Sequence, residues 1–300
     1  MMRRPIRFWP LVILSLFVSA LIAGCGGDGE TSSEAERMAE EHEGDTPTAT
    51  EAAQAPAIPV EGRTVSYGEG DGTELTGYLA EPANVDSVLS ARDADALPGI
   101  VVIHEWWGLN DNIRAATRRL AGEGYRALAV DLYGDAVAES PDSAQALMGR
   151  AMEAPEQLVE NVNTGRSYLA SDADAPRTAV LGWCFGGGMT FRTLANDPVA
   201  YDAAVAYYGT PEPLQGEALQ ALETPVLSHF GTDDQAVSIE EARSFRDRAE
   251  EADAPVTVHE YEAGHAFSNP SGDRYDAEAA EEAWERTTEF LEMHLHDEGA

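Results

Sequence analysis

The residues with the clearest chemical potential form a glycine-rich turn around Cys184. The stretch reads Leu181-Gly182-Trp183-Cys184-Phe185-Gly186-Gly187-Gly188. An apolar strand pattern precedes it and a helix pattern follows it, so Cys184 is predicted to lie on a strand-to-helix turn. A side chain on such a turn is exposed and strained, and Gly182 and Gly186 leave room where strand and helix nearly touch. The pattern is typical of a nucleophile elbow. The alternative is a small buried cysteine that packs beside a tight turn.

A thiol nucleophile needs a base within hydrogen-bond reach and a group that orients the base. Asp233 and Asp234 follow one predicted strand, and His265 follows the next. Because the carboxyl ends of parallel strands meet at one edge of a sheet, we expect Cys184, an aspartate and His265 to converge there. The chain order of nucleophile, acid and histidine is that of the α/β-hydrolases. Taken alone, His265 is equally consistent with packing or capping, and both aspartates are candidates.

The elements that must position these side chains alternate between strand and helix. A predicted hairpin at 64–80 comes first, and the apolar runs typical of buried strands follow at 99–103, 126–130, 177–180, 203–207, 225–230 and 256–261. Helical patterns separate most of these runs. The alternation predicts an α/β fold with a mostly parallel central sheet and helices on both faces. The chain order of nucleophile, acid and histidine makes the α/β-hydrolase fold the expected type. Ligands are expected at the carboxyl ends of the strands.

The first 59 residues differ in composition from the rest. Residues 1–25 combine a basic start, an apolar stretch and the sequence Leu21-Ile22-Ala23-Gly24-Cys25, which is typical of a bacterial lipoprotein signal peptide. We expect Cys25 to be lipidated and to anchor an exported protein to a bacterial membrane, in the periplasm or at the cell surface. Residues 26–59 contain almost no large apolar side chains and are predicted to be a disordered acidic tether. Residues 60–300 then form the hydrolase-like domain.

The charge balance excludes several function classes. The 300 residues include 54 acidic side chains and 19 basic ones, all of them arginine, for a formal net charge of −35. Such a chain repels phosphate backbones, so no nucleic-acid partner is expected, and lysine Schiff-base chemistry is excluded. The acidic surface suits high salt, where screening weakens self-repulsion.

No metal-binding motif or dinucleotide fingerprint occurs, so we expect no metal and no cofactor. A monomer is expected.

Five motifs, in this order, resemble those of the dienelactone hydrolase family of α/β-hydrolases, which use a cysteine nucleophile. They are His104-Glu105-Trp106-Trp107-Gly108-Leu109-Asn110, Asp131-Leu132-Tyr133-Gly134, Gly182-Trp183-Cys184-Phe185-Gly186-Gly187, Gly231-Thr232-Asp233-Asp234-Gln235-Ala236-Val237 and Gly264-His265-Ala266-Phe267. The resemblance covers roughly residues 65–294. It selects Asp234 over Asp233, because the family's acid follows a glycine by three positions and precedes an aliphatic residue by three.

The resemblance also implies roles around the triad. Glu105 would approach the resting thiol and take its proton when substrate displaces it, whereas the residue alone is equally consistent with a solvated loop acid. The backbone N–H groups of Trp106 and Phe185 are expected to form the oxyanion hole. An apolar substrate pocket is expected from aromatic side chains that are also candidates for the core: Trp107, Trp183 and Tyr133.

These observations favour a hydrolase that cleaves a small-molecule ester, lactone or thioester through a thioester on Cys184. Family members that act on carboxylate-bearing lactones carry an arginine four residues after the catalytic histidine, where this chain has Asn269. Together with the acidic surface, this difference favours a neutral substrate over dienelactone itself. The alternatives are a surface-tethered binding protein that keeps a hydrolase fold without turnover, and a cysteine peptidase or amidase.

Overall fold

In the computed structural model of the protein, the described residues are 42, 48, 50 and 53–296. The predicted signal peptide with Cys25, and most of the predicted tether, lie outside them. Within the described part of the chain, every helix is too short or too polar to cross a membrane. Residues 53–59 have no regular secondary structure, but the Gln54 side chain donates a hydrogen bond to Glu281 (2.7 Å). The chain therefore already contacts the domain before the first strand.

A single eight-stranded sheet forms the centre of the domain. Its strands are β1 (Val60–Gly70), β2 (Thr73–Pro82), β3 (Gly99–Ile103), β4 (Arg126–Val130), β5 (Thr178–Trp183), β6 (Ala203–Tyr207), β7 (Val226–Gly231) and β8 (Val256–Tyr261). They are arranged in the order β1-β2-β4-β3-β5-β6-β7-β8. The hairpin β1–β2 is antiparallel and pairs antiparallel with β4, and all other pairs are parallel. The predicted mostly parallel sheet is confirmed.

Helices connect most of the strands. In the described residues they are α1 (Val85–Arg92), α2 (Asp111–Gly122), α3 (Pro141–Ala151), α4 (Pro155–Ser171), α5 (Phe185–Asn196), α6 (Gly216–Gln220), α7 (Ile239–Glu251) and α8 (Ala277–Leu295). Arg119 on α2 lies over the ring of Trp284 on α8, at 3.9 Å from its centroid, so these two helices share one layer. The rings of Phe191 on α5 and Phe245 on α7 lie 5.1 Å apart and join a second pair of helices.

The strand register shows that helices cover both faces of the sheet, as predicted. Val130 on β4 is paired with Ile103 on β3, which is paired with Gly182 on β5, so these three residues face the same side of the sheet. Helix α4 packs on this side, where Gly165 contacts the side chain of Val130. Tyr207 on β6 is paired with Trp183, one position after Gly182, so both side chains point to the opposite face. The Tyr207 hydroxyl there donates to a backbone carbonyl of α8 (3.2 Å). With both faces covered by helices, a ligand is expected at the carboxyl ends of the strands.

Candidate active site

Cys184 lies between β5 and α5, which confirms the predicted strand-to-helix turn. Its backbone has φ 54° and ψ −117°, a conformation that L-residues rarely adopt. A Cβ added to Gly182 would overlap the carbonyl of Gly186, and one added to Gly186 would overlap the carbonyl of Ile103 on β3. The two glycines are therefore required for strand and helix to approach closely. The turn directs the backbone N–H of Phe185 towards the Cys184 sulfur.

The predicted acid and base meet at the ends of β7 and β8. His265 donates a hydrogen bond from Nδ1 to Oδ2 of Asp234 at 2.8 Å, and both side chains are almost fully buried. The other carboxylate oxygen of Asp234 accepts from the backbone N–H groups of Ala236 and Val237, each at 2.8 Å. Asp233 is exposed on the surface of the same loop. The structure therefore brings Asp234, and not Asp233, to His265.

The thiol and the imidazole are close neighbours. The Cys184 sulfur and a ring nitrogen of His265 lie within 4.8 Å of each other. Because Nδ1 of His265 is bonded to Asp234, Nε2 is the nitrogen that remains for the sulfur. This Nε2 is buried and makes no regular hydrogen bond to any described residue. It therefore has a lone pair with which to accept the thiol proton.

The pKa values of this pair are set by burial and by neighbouring charges. Burial raises the pKa of the Cys184 thiol, and the Glu105 carboxylate acts in the same direction, against the opposing effect of His265. Burial alone would lower the pKa of His265, but the negative charge of Asp234 and, once the thiol ionises, that of Cys184 outweigh burial and raise that pKa well above its usual range. Burial and Glu105 thus favour the protonated thiol, and ionisation of the thiol makes His265 a stronger base.

Glu105 follows β3 and is buried rather than solvated. Asn269 donates a hydrogen bond from Nδ2 to Oε2 of Glu105 (2.7 Å), and the Tyr208 hydroxyl donates to Oε1 (3.4 Å). His104 fixes the backbone of the same loop, since its Nε2 accepts from the Leu132 N–H (3.2 Å) and its Nδ1 donates to the Glu105 carbonyl (2.5 Å). Residue 269, where the resemblance leads one to look for an arginine, is therefore a neutral amide that is hydrogen-bonded to Glu105.

A cavity of about 560 Å³ adjoins Cys184 and His265, both of which are buried. Its wall is mostly apolar and is formed by Met148, Met152, Phe185, Met189, Pro213, Ala236 and Val237. Three charged side chains also line it: Arg192, Glu212 and Glu241. The size and the apolar wall suit an organic molecule whose reacting group lies at the cysteine.

The predicted pocket residues lie elsewhere. Trp183 points to the opposite face of the sheet from the cavity, because side chains alternate along β5, and it stacks against Tyr207 at 5.5 Å. Tyr133 packs against Phe185, with ring centroids 5.6 Å apart. Trp107 is fully buried, and its ring centroid lies 5.3 Å from that of Trp106. Trp183 also lines a smaller cavity of about 80 Å³, together with Glu105, Tyr208 and Asn269. None of the three residues lines the cavity of about 560 Å³, and their role in a substrate pocket stays a prediction.

Sequence reasoning missed one residue of the site. His42, which the composition assigns to the tether, lies with its Nε2 4.0 Å from the Cys184 sulfur, and its ring centroid is 5.4 Å from that of His265. These three side chains are the candidate metal-ligating group within the described ranges. No spacing or motif in the sequence connects residue 42 with a site more than 60 residues further along the chain.

The comparisons with known proteins agree with this architecture. The model of the dienelactone hydrolase family matches residues 77–295. A protein of Saccharolobus solfataricus named "Putative carboxymethylenebutenolidase" is 30% identical over 264 residues, which cover 74% of this chain and 95% of that protein. The crystal structure of a "Putative Dienelactone Hydrolase" from Klebsiella pneumoniae is 28% identical with a TM-score of 0.66, over 78% of this chain and 98% of that one. The structure of a "Dienelactone Hydrolase-like Promiscuous Phospotriesterase" from metagenomic libraries shows the same fold, with 24% identity and a TM-score of 0.68 over 78% of this chain and 98% of that one.

Proposed function

Because the chain belongs to the dienelactone hydrolase family, and is thus a hydrolase with an α/β-hydrolase fold, we propose that it cleaves a neutral ester, lactone or thioester by nucleophilic attack of Cys184. The observation that carries this proposal is the buried pair of Asp234 and His265 beside the sulfur. Asp234 holds the proton of His265 on Nδ1, so Nε2 acts as the base. Attack on a carbonyl by sulfur needs this arrangement, whereas ligand binding does not.

In the first half of the reaction, the sulfur of Cys184 attacks the carbonyl carbon of the substrate while the thiol proton passes to Nε2 of His265. Glu105 is a second acceptor for this proton, because its charge already acts on the thiol. The electron pair of the carbonyl moves onto its oxygen. We expect two backbone N–H groups to bind the resulting oxyanion: that of Phe185 at the start of α5 and that of Trp106 on the loop after β3.

Collapse of the oxyanion breaks the bond between the carbonyl carbon and the leaving oxygen or sulfur, and His265 gives its proton to the leaving group. The acyl group is then a thioester on Cys184. In the second half, a water molecule gives a proton to His265 and attacks the thioester carbon. The carbon–sulfur bond breaks, the acid product leaves, and the sulfur takes the proton back from His265. The buried position of the pair keeps other water away from these transfers.

The surroundings of the site favour a neutral substrate. Asn269 stabilises Glu105 without adding a positive charge, and the cavity contains two carboxylates, Glu212 and Glu241, against the guanidinium of Arg192. A carboxylated substrate would therefore meet a net negative wall in a protein of formal net charge −35. The apolar side chains of the cavity suit a small or medium acyl group.

The direct test compares the two cysteines of the chain. We expect Cys184→Ala to lower kcat/KM for p-nitrophenyl butyrate by about 10³-fold or more, as loss of a nucleophile does, and Cys25→Ala to leave it within twofold. A panel of neutral esters, the matching carboxylated esters and the matching amides defines the substrate class. Equal rates for Cys184→Ala and the unsubstituted protein would refute the proposal. Labelling of Cys184 without turnover on any ester would favour the binding-protein alternative.

We also propose that Cys25 carries a lipid that anchors the protein to a bacterial membrane outside the cytoplasm. The support is the basic start, the apolar stretch and the small residues before Cys25. In detergent-phase partition of the full chain made in a bacterial host, the protein should enter the detergent phase and Cys25→Ala should stay in the aqueous phase. Aqueous partition of both would refute lipidation.

A further inference from the structure

We propose that His42 blocks the catalytic cleft from within the same chain, so that the enzyme rests in an inhibited state until this residue leaves the site. The inference depends on the proposed function, because the blocked group is the thiol assigned there as nucleophile. It assigns a role to a residue that lies before the hydrolase domain and outside the span matched by the family model.

His42 occupies the space in which a substrate carbonyl must lie. Its side chain is fully buried, and its Nε2 is 4.0 Å from the sulfur of Cys184. Its ring centroid lies 4.7 Å from Trp106 and 5.4 Å from His265. The imidazole is therefore enclosed by the nucleophile, the base and the residue that supplies an oxyanion N–H. With the ring in place, Cys184 is only 3% exposed and His265 is fully buried, although the cavity of about 560 Å³ adjoins both residues. A carbonyl carbon needs to come within roughly 3.5 Å of the sulfur, and on the side of Trp106 the ring fills that space.

The domain holds His42 in this position through polar contacts. Arg274 donates a hydrogen bond from Nη2 to Nδ1 of His42 (3.3 Å) and another from Nε to the carbonyl of His265 (3.2 Å). A few residues after His42, the Thr50 hydroxyl donates to the carbonyl of Pro270 (2.7 Å). Both partners belong to the loop between β8 and α8, which also carries the catalytic histidine. His42 and Thr50 are thus both attached to the same loop at one side of the cleft.

The contact with Arg274 also determines what His42 presents to the sulfur. A guanidinium only donates, so Nδ1 of His42 must offer a lone pair and the proton of the neutral ring is on Nε2. The N–H of His42 then points towards Cys184. A metal ion held by His42, Cys184 and His265 would need the lone pair of the same Nε2. The hydrogen-bond pattern therefore favours a donor that covers the thiol over a metal ligand.

Covering the thiol has a measurable cost in reactivity. If the cleft is accessible only in the fraction of molecules whose His42 has left it, the apparent rate of any reagent at Cys184 falls by that fraction. A buried ring that packs on an aromatic side chain and accepts a hydrogen bond favours the covered cleft over the accessible cleft by roughly five- to thirty-fold. Removal of the imidazole should restore this factor for every reagent that reaches the sulfur.

The experiment compares His42→Ala with His294→Ala in the full chain. His294 is a matched control, since it is a histidine on α8 that packs only against Phe290 (4.5 Å) among aromatic neighbours in the described residues. Alkylation of Cys184 by iodoacetamide is followed by mass spectrometry on the tryptic peptide 178–192, with EDTA present and, in a parallel series, without it. The second measurement is kcat/KM for p-nitrophenyl butyrate. We expect His42→Ala to raise both rates about five- to thirty-fold, and His294→Ala to change neither by more than about twofold.

The outcomes separate this proposal from the proposed function. Unchanged or slower alkylation in His42→Ala would overturn the block, because loss of an N–H donor alone lowers the reactivity of the sulfur. If removal of EDTA slows alkylation of the unsubstituted protein but not of His42→Ala, the three side chains hold a metal and the block as stated is wrong. Faster alkylation of His42→Ala, without turnover of any ester of the panel in any variant, would support the block and refute the proposed ester cleavage through Cys184.

Discussion

Replacement of Asp234 by asparagine should abolish most of the activity while the fold remains intact. In the structure, one oxygen of Asp234 accepts two backbone N–H groups and the other accepts Nδ1–H of His265. In Asp234→Asn, the amide oxygen keeps the two backbone donors, so the NH₂ group faces His265. A donor now stands where an acceptor was. His265 must therefore present a lone pair at Nδ1 and carry its proton on Nε2, where it cannot accept the thiol proton.

The size of the effect follows from this exchange of tautomers. The corresponding change in a serine-protease triad costs about 10⁴ in kcat, which equals about 5.4 kcal/mol in activation free energy. The cost in stability is smaller. Two hydrogen bonds that change from charged to neutral acceptors lose roughly 1–2 kcal/mol of unfolding free energy, which lowers the thermal midpoint by roughly 2–8 °C. At 25 °C the variant should remain folded and be nearly inactive.

The assay measures kcat/KM for p-nitrophenyl butyrate at 25 °C, with circular dichroism to verify folding. Asp233→Asn is the matched control, because Asp233 is exposed on the same loop and should retain activity within about twofold. The reasoning is refuted if folded Asp234→Asn keeps more than a tenth of the activity. It is equally refuted if Asp233→Asn shows the larger loss.

Three further predictions concern acidity, packing and salt. Because burial and Glu105 raise the pKa of Cys184, its alkylation should increase with pH above the ordinary thiol value of about 8.5. Glu105→Gln removes one of these causes and should move the alkylation midpoint to lower pH; an upward move would contradict the assignment. Gly182→Ala should cost roughly 1–3 kcal/mol in urea unfolding because its Cβ overlaps the carbonyl of Gly186. Gly149→Ala, where a Cβ meets open space on α3, should be neutral or gain up to about 1 kcal/mol, and equal losses in both variants would contradict the packing argument. Finally, the thermal midpoint should rise between low and molar NaCl, since screening relieves the repulsion of 54 acidic side chains; a flat or falling midpoint would count against adaptation to salt.

Local patterns in the sequence determine the sheet and the placement of the triad residues. The elbow around Cys184 follows from glycines that only a close strand-to-helix approach requires, and His265 follows from its place after the last strand. The choice between Asp233 and Asp234 came from the family pattern, because the two adjacent positions are equivalent by composition. The structure shows the physical difference: the carboxylate of Asp234 is buried on backbone donors, while that of Asp233 faces solvent.

The remaining parts of the site could not be predicted for two different reasons. Trp183 is predicted to line the pocket as one of several aromatic side chains, but composition does not say which cavity a side chain faces. The period-two alternation of β5 turns Trp183 away from the cavity of about 560 Å³ and towards the smaller one that holds Glu105 and Asn269. The position of His42 was not predictable, because low hydrophobicity indicates only that a segment cannot form a core of its own. It does not indicate whether one of its side chains fits a cavity built by the rest of the chain.

The strained backbone at residue 184 separates the location of the nucleophile from its chemical identity. The turn positions the β-carbon through φ, ψ and two glycines, and none of these depends on whether sulfur or oxygen is attached. The same scaffold can therefore carry either element after a single-atom exchange. In the proposed mechanism, what suits this protein to sulfur is the burial of residue 184 together with the carboxylate of Glu105, since both raise the pKa of the thiol and a protonated thiol resists oxidation. The choice of element is thus set by the surroundings of the turn and not by the turn itself.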